Sequence, residues 1–228
     1  MRWRSDGLAG LEPERLNFLT DGVYAIAITL LVLEIKVPEG LPVDRVLPAL
    51  MESVPKFITF LIAFSACAIG WTFTYLTTGL VRRAGPGHLF CTLVSLMSVA
   101  LIPFSSALMG SYPDSPWGIV AYAADVGLLA GIYALDLMLA ERTLPAHVDR
   151  RPIYLLAGTA AAVAAIGAIC GSTLAFISPR YCLYVIAAVT VIIWLEYFVL
   201  VGWMGRTMEA LHAEPQAHAP PQSVRRRR

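Results

Sequence analysis

The feature that most constrains this chain is a series of long apolar segments, each of a length that can cross a membrane. A helix needs about 20 apolar residues to span the hydrocarbon core of a bilayer, and hydrophobic residues make up 57% of the 228 residues. Only 14% are charged, which is too few for an ordinary soluble domain. The sequence therefore predicts an all-α integral membrane protein whose six spans lie near residues 18–37, 55–78, 88–110, 117–140, 153–177 and 182–204.

These spans divide the chain into three parts. Residues 1–17 are expected to form a cytoplasmic amino-terminal segment, and residues 18–205 the six-helix membrane domain. Residues 206–228 are expected to form a disordered, basic cytoplasmic tail, because they are rich in proline and polar side chains. The six spans fill the middle part, so a separate soluble domain is not expected.

The distribution of lysine and arginine predicts the orientation. Thirteen of the 17 lie in the two termini and in the second and fourth loops, and four lie in the remaining loops. Because loops rich in these residues stay in the cytoplasm, both termini are expected to be cytoplasmic, as an even number of spans requires. The expected localisation is a multi-pass protein of the cell membrane, in contact with membrane lipid.

Motifs of catalysis are missing from the sequence. It contains no G-x-S-x-G, no H-E-x-x-H and no Gly-rich phosphate loop, and its four cysteines show no metal-ligand spacing. The four histidines are expected at loops, interfaces or the tail. We therefore expect no enzyme, no cofactor, no metal site and no nucleic-acid partner.

Two acidic residues inside the predicted spans need partners, because an ionised carboxylate at the bilayer centre costs about 2.5–3.5 kcal/mol on insertion scales. Asp136 lies near the end of the fourth span, where Arg142 is the expected partner. Asp125 lies deeper in the same span, and the sequence names no partner for it. The fifth span, rich in alanine and glycine, is expected to pack deep in the helix bundle, since small residues let helix backbones approach closely.

The first span contains polar residues at both ends and in its middle. Thr20 and Asp21 precede the apolar run and are typical of a helix N-cap. Ile26, Leu30 and Leu33 are spaced at i, i+4 and i+7, which places them on one helix face. On the residues alone, that face is interpreted as lipid contact, helix packing or the lining of a pore.

The stretch "RLNFLTDGVYAIAITLLVLEIKVP" resembles the first helix of the transmembrane protein 175 family, the lysosomal potassium channels and their prokaryotic relatives. The family signature is an arginine, three residues and Phe-Ser-Asp, here Arg15 followed by Leu19-Thr20-Asp21. Residues 22–35 then match almost residue for residue. "VALIPFSSALMGSY" at 99–112 is similar to the end of the family's third helix. The chain departs from the family in lacking the aromatic residue of the signature and the histidines that many prokaryotic relatives carry after Trp71.

The resemblance implies a homotetramer in which four copies of the first helix line a central pore for potassium and other monovalent cations. It places Ile26 at a hydrophobic constriction, with Leu30 and Leu33 further along the pore, and Thr29 in a layer of hydroxyl groups. Such a constriction implies modest selectivity for potassium over sodium. Asp21 and Glu34 would then lie at opposite pore mouths, where their negative charge attracts cations.

Two other functions stay open at this point. A proton-coupled secondary carrier would use Asp125 as its titrating group, although the sequence shows no internal repeat of broken helices. A non-conducting membrane scaffold would follow if the missing histidines are essential to the pore. Oligomeric state separates them, since a central pore needs a symmetric tetramer and a carrier does not.

Overall fold

The computed structural model of the chain describes residues 13–36, 39–80, 85–142 and 150–195, together with residues 198 and 202. These residues form helices and turns, and no strand occurs among them. The tail at 206–228 lies outside the described residues. In chain order the helices are α1 Pro13–Val32, α2 Val43–Glu52, α3 Val54–Leu80, α4 Pro86–Ser111, α5 Pro116–Glu141, α6 Arg151–Ile169, α7 Ala175–Ile177 and α8 Pro179–Leu195.

Four of these helices are long and apolar enough to cross a membrane. The spanning segments are Arg15–Val32, Val54–Tyr75, Pro86–Ser111 and Pro116–Glu141, in α1, α3, α4 and α5. Two shorter apolar helical segments follow, Ala157–Ile169 in α6 and Pro179–Leu195 in α8. The all-α class is confirmed for the described residues, and the count of six spans stays a prediction.

The first helix is displaced from its predicted limits. It begins at Pro13, before residue 18, and ends at Val32 instead of residue 37. Beyond its end the backbone forms turns, in which Leu33 N–H donates to Leu30 O at 3.1 Å and Ile35 N–H to Val32 O at 3.1 Å. These bonds span three residues instead of four, so the α-helical pattern ends at Val32.

The connection between the first two spans contains a helix that the sequence analysis did not predict. This helix, α2, has no buried residue, and its apolar side chains are exposed, Val43 at 92% and Leu47 at 65%. An amphipathic helix of this kind is typical of the boundary between headgroups and acyl chains. The connection is therefore structured where the sequence indicated only a loop.

The helix α6 continues through a π-helical turn into α7. The π-helical turn covers Cys170–Leu174, and its flanking residues Ile169 and Ala175 keep right-handed helical backbone angles. Helical backbone thus runs without a break from Arg151 to Ile177. Ser178 is extended and separates α7 from α8.

The core of the protomer lies where α4 meets α1, α3 and α5. Gly118, in the first turn of α5, permits the closest approach, because a Cβ atom there would lie 2.7 Å from Met109 Cα and 2.9 Å from Leu108 O of α4. The largest fully buried side chains of the core are Tyr24, Leu31, Val99, Ile102, Met109, Ile119 and Leu137.

The small residues of α6 make a close contact with another helix on one face only. A Cβ atom at Gly171 would lie 3.2 Å from Ala123 Cβ, and one at Gly167 would lie 3.4 Å from Ala123 O, so α6 approaches α5 closely there. Ala161 and Ala165, on other faces, are exposed. The expectation of a deeply buried fifth helix is wrong for the protomer, because the small side chains serve a single close contact.

An ion pair joins the turn between α4 and α5 to the start of α8. Arg180 donates to both carboxylate oxygens of Asp114, at 2.7 Å from Nε and 3.1 Å from Nη2. The guanidinium holds the pKa of Asp114 below its usual value. Both groups are exposed, so the pair orients the two segments more than it stabilises them.

Gly118→Ala should destabilise the protein, because its methyl group would meet the backbone of α4. The expected cost is about 1–3 kcal/mol, typical of overpacking, and would be measured as a lower midpoint of thermal unfolding in detergent. Gly131→Ala is the matched control on the same helix, since nothing lies within 4 Å of a Cβ atom there. Equal midpoints for the two variants would show that α4 and α5 do not approach closely at Gly118.

Candidate functional site

The helix α1 contacts the rest of the protomer along one narrow stripe. Its buried residues recur at intervals of three or four, which is the period of an α-helix, and α1 packs with them against α3 and α4. The buried stripe consists of Leu16, Thr20, Tyr24, Ala27 and Leu31.

The opposite face of α1 is free in the protomer and carries predicted site residues. Ile26 is 62% exposed and Leu33 is 61% exposed, and Thr29 is exposed between them. At about 100° of rotation per residue, Ile26 and Thr29 share one side of the helix axis, and Leu33 follows them in the turn after Val32. Leu30 lies nearer the buried stripe and is 43% exposed. The structure thus places Ile26 and Thr29 on a free face, with Leu30 at its edge and Leu33 just beyond its end.

Two residues of the predicted site lie beyond the α-helix. Leu33 and Glu34 are in the turn that follows Val32, whereas the i, i+7 spacing assumed that Leu33 was helical. Glu34 is exposed and lines a small cleft together with Lys56 of α3. Glu34 thus lies at one end of the free face because of this turn, and not because the helix continues to it.

Thr29 is positioned by its own backbone. Its hydroxyl donates a hydrogen bond of 2.8 Å to the carbonyl oxygen of Ile26, a common arrangement for threonine within a helix. The hydroxyl hydrogen is therefore turned toward the helix, and the oxygen keeps lone pairs that can accept a hydrogen bond or approach a cation.

Thr20 and Asp21 are not an N-cap, contrary to the expectation from the sequence. The helix begins at Pro13, so both residues lie within it, and Thr20 is buried and donates to Leu16 O at 2.9 Å. Asp21 Oδ1 instead accepts a hydrogen bond of 2.7 Å from Trp71 Nε1 of α3. Local sequence suggested a cap because an unbroken apolar run begins only after Asp21 and polar residues are interspersed before Thr20.

Arg15 lies in the first turns of α1 and is exposed.

A buried polar contact behind α1 was not predicted. The hydroxyls of Tyr24 on α1 and Tyr133 on α5 are hydrogen-bonded to each other, and Thr74 of α3 lies beside both. Gly70 makes room for them, since a Cβ atom there would lie 2.8 Å from each hydroxyl oxygen. The two tyrosines are far apart in the sequence, and nothing in either local segment indicates the pairing.

Asp136 has a different partner from the one expected. Its carboxylate is 2.6 Å from His88 Nδ1 of α4, and both side chains are buried, whereas Arg142 was the predicted partner. His88 therefore lies within the helix bundle and not at an exposed interface. Within the residues that the structure describes, no group of three His, Cys, Asp or Glu side chains that could hold a metal ion occurs.

Asp125 finds its partners on α4. Ser98 donates to Asp125 Oδ1 at 2.7 Å and Ser105 donates to Oδ2 at 3.0 Å. Ser98 and Ser105 are two helical turns apart, so they face α5 together. Each carboxylate oxygen is thereby satisfied, and the carboxylate is stabilised inside the bundle by hydroxyl groups instead of a cation.

Comparisons with known proteins find relatives of one channel family, by sequence and by fold. The family model described as endosomal/lysosomal potassium channel TMEM175 matches residues 15–103. A potassium channel of Chamaesiphon minutus is 33% identical over 150 residues, which cover 62% of this chain and 74% of that protein. A potassium channel of Streptomyces collinus is 34% identical over 101 residues, which cover 44% of this chain and 49% of that protein.

A solved structure is similar over most of the fold. The crystal structure of a lysosomal potassium-selective channel TMEM175 homolog from Chamaesiphon minutus matches with a TM-score of 0.69 and 27% sequence identity. The match covers 81% of this chain and 97% of that chain. The arrangement of α1 against α3 and α4 thus occurs in a fold of known relatives.

The hydrogen bond between Trp71 and Asp21 should contribute to stability. In a double-mutant cycle of Trp71→Phe and Asp21→Ala, we expect a coupling energy of about 1 kcal/mol, because a bond to a carboxylate is strong but this one is partly exposed. Unfolding free energies in detergent would measure it. The cycle of Trp71→Phe with the distant Asp114→Asn should be additive, and equal coupling in both cycles would contradict the assignment.

Proposed function

The chain belongs to the TMEM175 family, and on that premise we propose that it is a potassium-permeable cation channel whose pore is lined by α1. The observation that carries the proposal is the free face of α1 with Ile26 and Thr29, opposite the stripe that packs on α3 and α4. The relatives named above are called potassium channels, which supports the same function here.

Family membership also establishes the general class of the molecule. It is a multi-pass membrane protein, because its family consists of membrane channels and four of its described helices are long enough to span a membrane. The family and its relatives are channels and not enzymes. We propose the cell membrane as its location and the cytoplasm for both termini, on the strength of the lysine and arginine distribution.

A pore of this kind requires more than one copy of the chain. A single α1 cannot enclose a path for ions, and its free face would otherwise contact only lipid. Closed rings are the usual way in which identical subunits bury one shared face, and the family resemblance implies four of them. In a homotetramer the four copies of α1 would turn Ile26 toward a common axis.

The proposed constriction acts by excluding water. A ring of Ile26 side chains supplies no oxygen atom to replace the hydration shell of an ion, so it closes by dewetting and conducts only when wide enough for a partly hydrated cation. Thr29, about one turn away, would place hydroxyl oxygens next to the ring and hold water there. Potassium loses water more readily than sodium, which gives modest selectivity. Leu30 and Leu33 would extend the apolar wall.

Charged residues at the two ends of the pore helix would favour cations over anions. Asp21 and Glu34 are both exposed, and they lie on either side of the apolar segment that contains Ile26. A negative potential at each mouth raises the local concentration of cations. The bond from Trp71 holds the Asp21 carboxylate beside α3, which places its charge at the edge of the mouth.

A proton-coupled carrier is a second candidate, because of one observation. Asp125 lies in the middle of α5 with both carboxylate oxygens bonded to serine hydroxyls, and carboxylates inside membrane helices commonly relay protons. Flux that saturates with substrate in a monomer or dimer would favour the carrier. Single-channel currents from a tetramer would favour the channel.

Ile26→Asn should ease wetting of the constriction and raise sodium permeability relative to potassium. We expect the ratio of sodium to potassium permeability to rise about threefold or more. This is equivalent to ~0.7 kcal/mol in the difference between the energy barriers for the two ions. Reversal potentials of the reconstituted protein under bi-ionic conditions would measure it. Leu61→Asn is the matched control, since Leu61 on α3 is 61% exposed and Ile26 is 62% exposed. If the two variants behave alike, Ile26 does not form the constriction.

Thr29→Val should lower conductance or potassium selectivity and leave assembly intact, because it removes the hydroxyl oxygen but keeps the shape of the side chain. The expected loss is about two- to tenfold, comparable to one weakened polar contact. Thr173→Val is its control, because Thr173 is also exposed and donates to the carbonyl of Ile169 at 2.7 Å. If single-channel currents are unchanged in Thr29→Val, the Thr29 hydroxyls do not contribute to conduction.

A further inference from the structure

An apolar cavity lies among α3, α5, α6 and α8. Its volume is about 160 Å³. Small residues line it on three of the four helices. These small residues are Gly70 of α3, Ala123 and Ala130 of α5, and Ala160 and Gly167 of α6.

The cavity has a buried floor and a more exposed rim. Tyr122 and Leu129 of α5 line the floor and are almost fully buried. Val163 of α6 and Ile193 of α8 line the rim and are half-buried. Ile69 of α3 is half-buried as well, so one side of the cavity is partly exposed to the surroundings of the molecule.

We propose that this cavity binds the end of a lipid acyl chain. An apolar cavity of ~150 Å³ stays free of water and accepts an apolar guest such as benzene, and this cavity is of similar size. The rim residue Val163 lies well inside α6, at the depth where the solvent around a membrane-spanning helix is hydrocarbon. Acyl chains are thus present at the entrance at high concentration, and water is not.

The floor of the cavity is connected to the proposed pore helix. Tyr133 lines the cavity, its ring lies 4.8 Å from that of Phe73, and its hydroxyl is bonded to Tyr24 on α1. An acyl chain that contacts Tyr133 is therefore one hydrogen bond away from the helix that carries Ile26. This link to conduction rests on the proposed function, whereas binding of the chain does not.

Photolabelling would test the binding. The full chain would be reconstituted in phosphatidylcholine vesicles that contain a fatty acid with a diazirine at its terminal carbon, irradiated, and mapped by peptide mass spectrometry. We expect adducts on cavity residues of α5. Ala160→Leu should reduce those adducts by about tenfold, because the added side chain takes the volume of the guest.

Controls separate a filled cavity from a damaged fold. Ala161→Leu, on the exposed face of the same helix, should keep wild-type labelling at the cavity, and both variants should keep adducts on lipid-facing Leu155. Val163→Phe fills the cavity from the rim and should act like Ala160→Leu if the latter does not assemble. Absence of cavity adducts in the wild type, or equal labelling in Ala160→Leu and Ala161→Leu, would overturn the proposal.

Potassium flux would test the connection to α1. We expect Ala160→Leu to change flux into vesicles by about fivefold, the lower end of the usual coupling between distant sites, and Ala161→Leu to leave it unchanged. If Ala160→Leu loses the adducts but its potassium flux is unchanged, the connection to α1 is overturned and the binding site is still supported. Wild-type vesicles that show adducts but no potassium flux would contradict the proposed function and not the site.

Discussion

The packing of α1 along one stripe determines most of what the rest of the molecule can do. Leu16, Tyr24 and Leu31 are buried against α3 and α4, and Tyr24 is additionally fixed by its hydrogen bond to Tyr133. A helix held on one side has only its other side available for a partner subunit, lipid or an ion path. Because the Tyr24 hydroxyl meets Tyr133 only in this register, rotation of α1 would break that buried hydrogen bond, which is costly in an apolar interior. The orientation of Ile26 and Thr29 is thus a consequence of contacts on the opposite face.

Much of the fold could be predicted from the sequence, because a bilayer imposes a length and a polarity on each span. The spans α3, α4 and α5 begin and end close to their predicted limits, and the resemblance of the first helix to the TMEM175 family is confirmed. The spacing of Ile26, Leu30 and Leu33 did not show whether their face is free or packed. Hydropathy also did not predict that α1 is already helical at Pro13, because polar residues are interspersed among the residues before Thr20. The exposure of the apolar face of α2 and the single contact face of α6 depend on tertiary packing, which cannot be inferred from amino-acid composition.

The polar contacts inside the bundle could not be predicted, and the reason is the same in each case. The indole of Trp71, the imidazole of His88 and the hydroxyls of Ser98 and Ser105 are all distant in sequence from the carboxylates that they contact. Local rules therefore assigned Asp21 to a helix cap and Asp136 to the nearest arginine. The correct partners follow only once neighbouring helices are placed in register, because a membrane helix satisfies its acids from whichever helix lies alongside. The free energy cost of an unpaired acid indicated that partners exist without indicating which ones.

The π-helical turn at Cys170–Leu174 has a consequence for the length of the chain. A π turn holds one residue more than the α-helical turn that it replaces, so the extra residue is absorbed within the turn. Loss of a single residue there should restore regular helix and leave the residues beyond it facing nearly the same way, with Arg180 still beside Asp114. Loss of a residue from the α-helical part of α6 would instead rotate the rest of that helix by about 100°. Within α6 and α7, a one-residue deletion should thus be tolerated best in the π-helical turn.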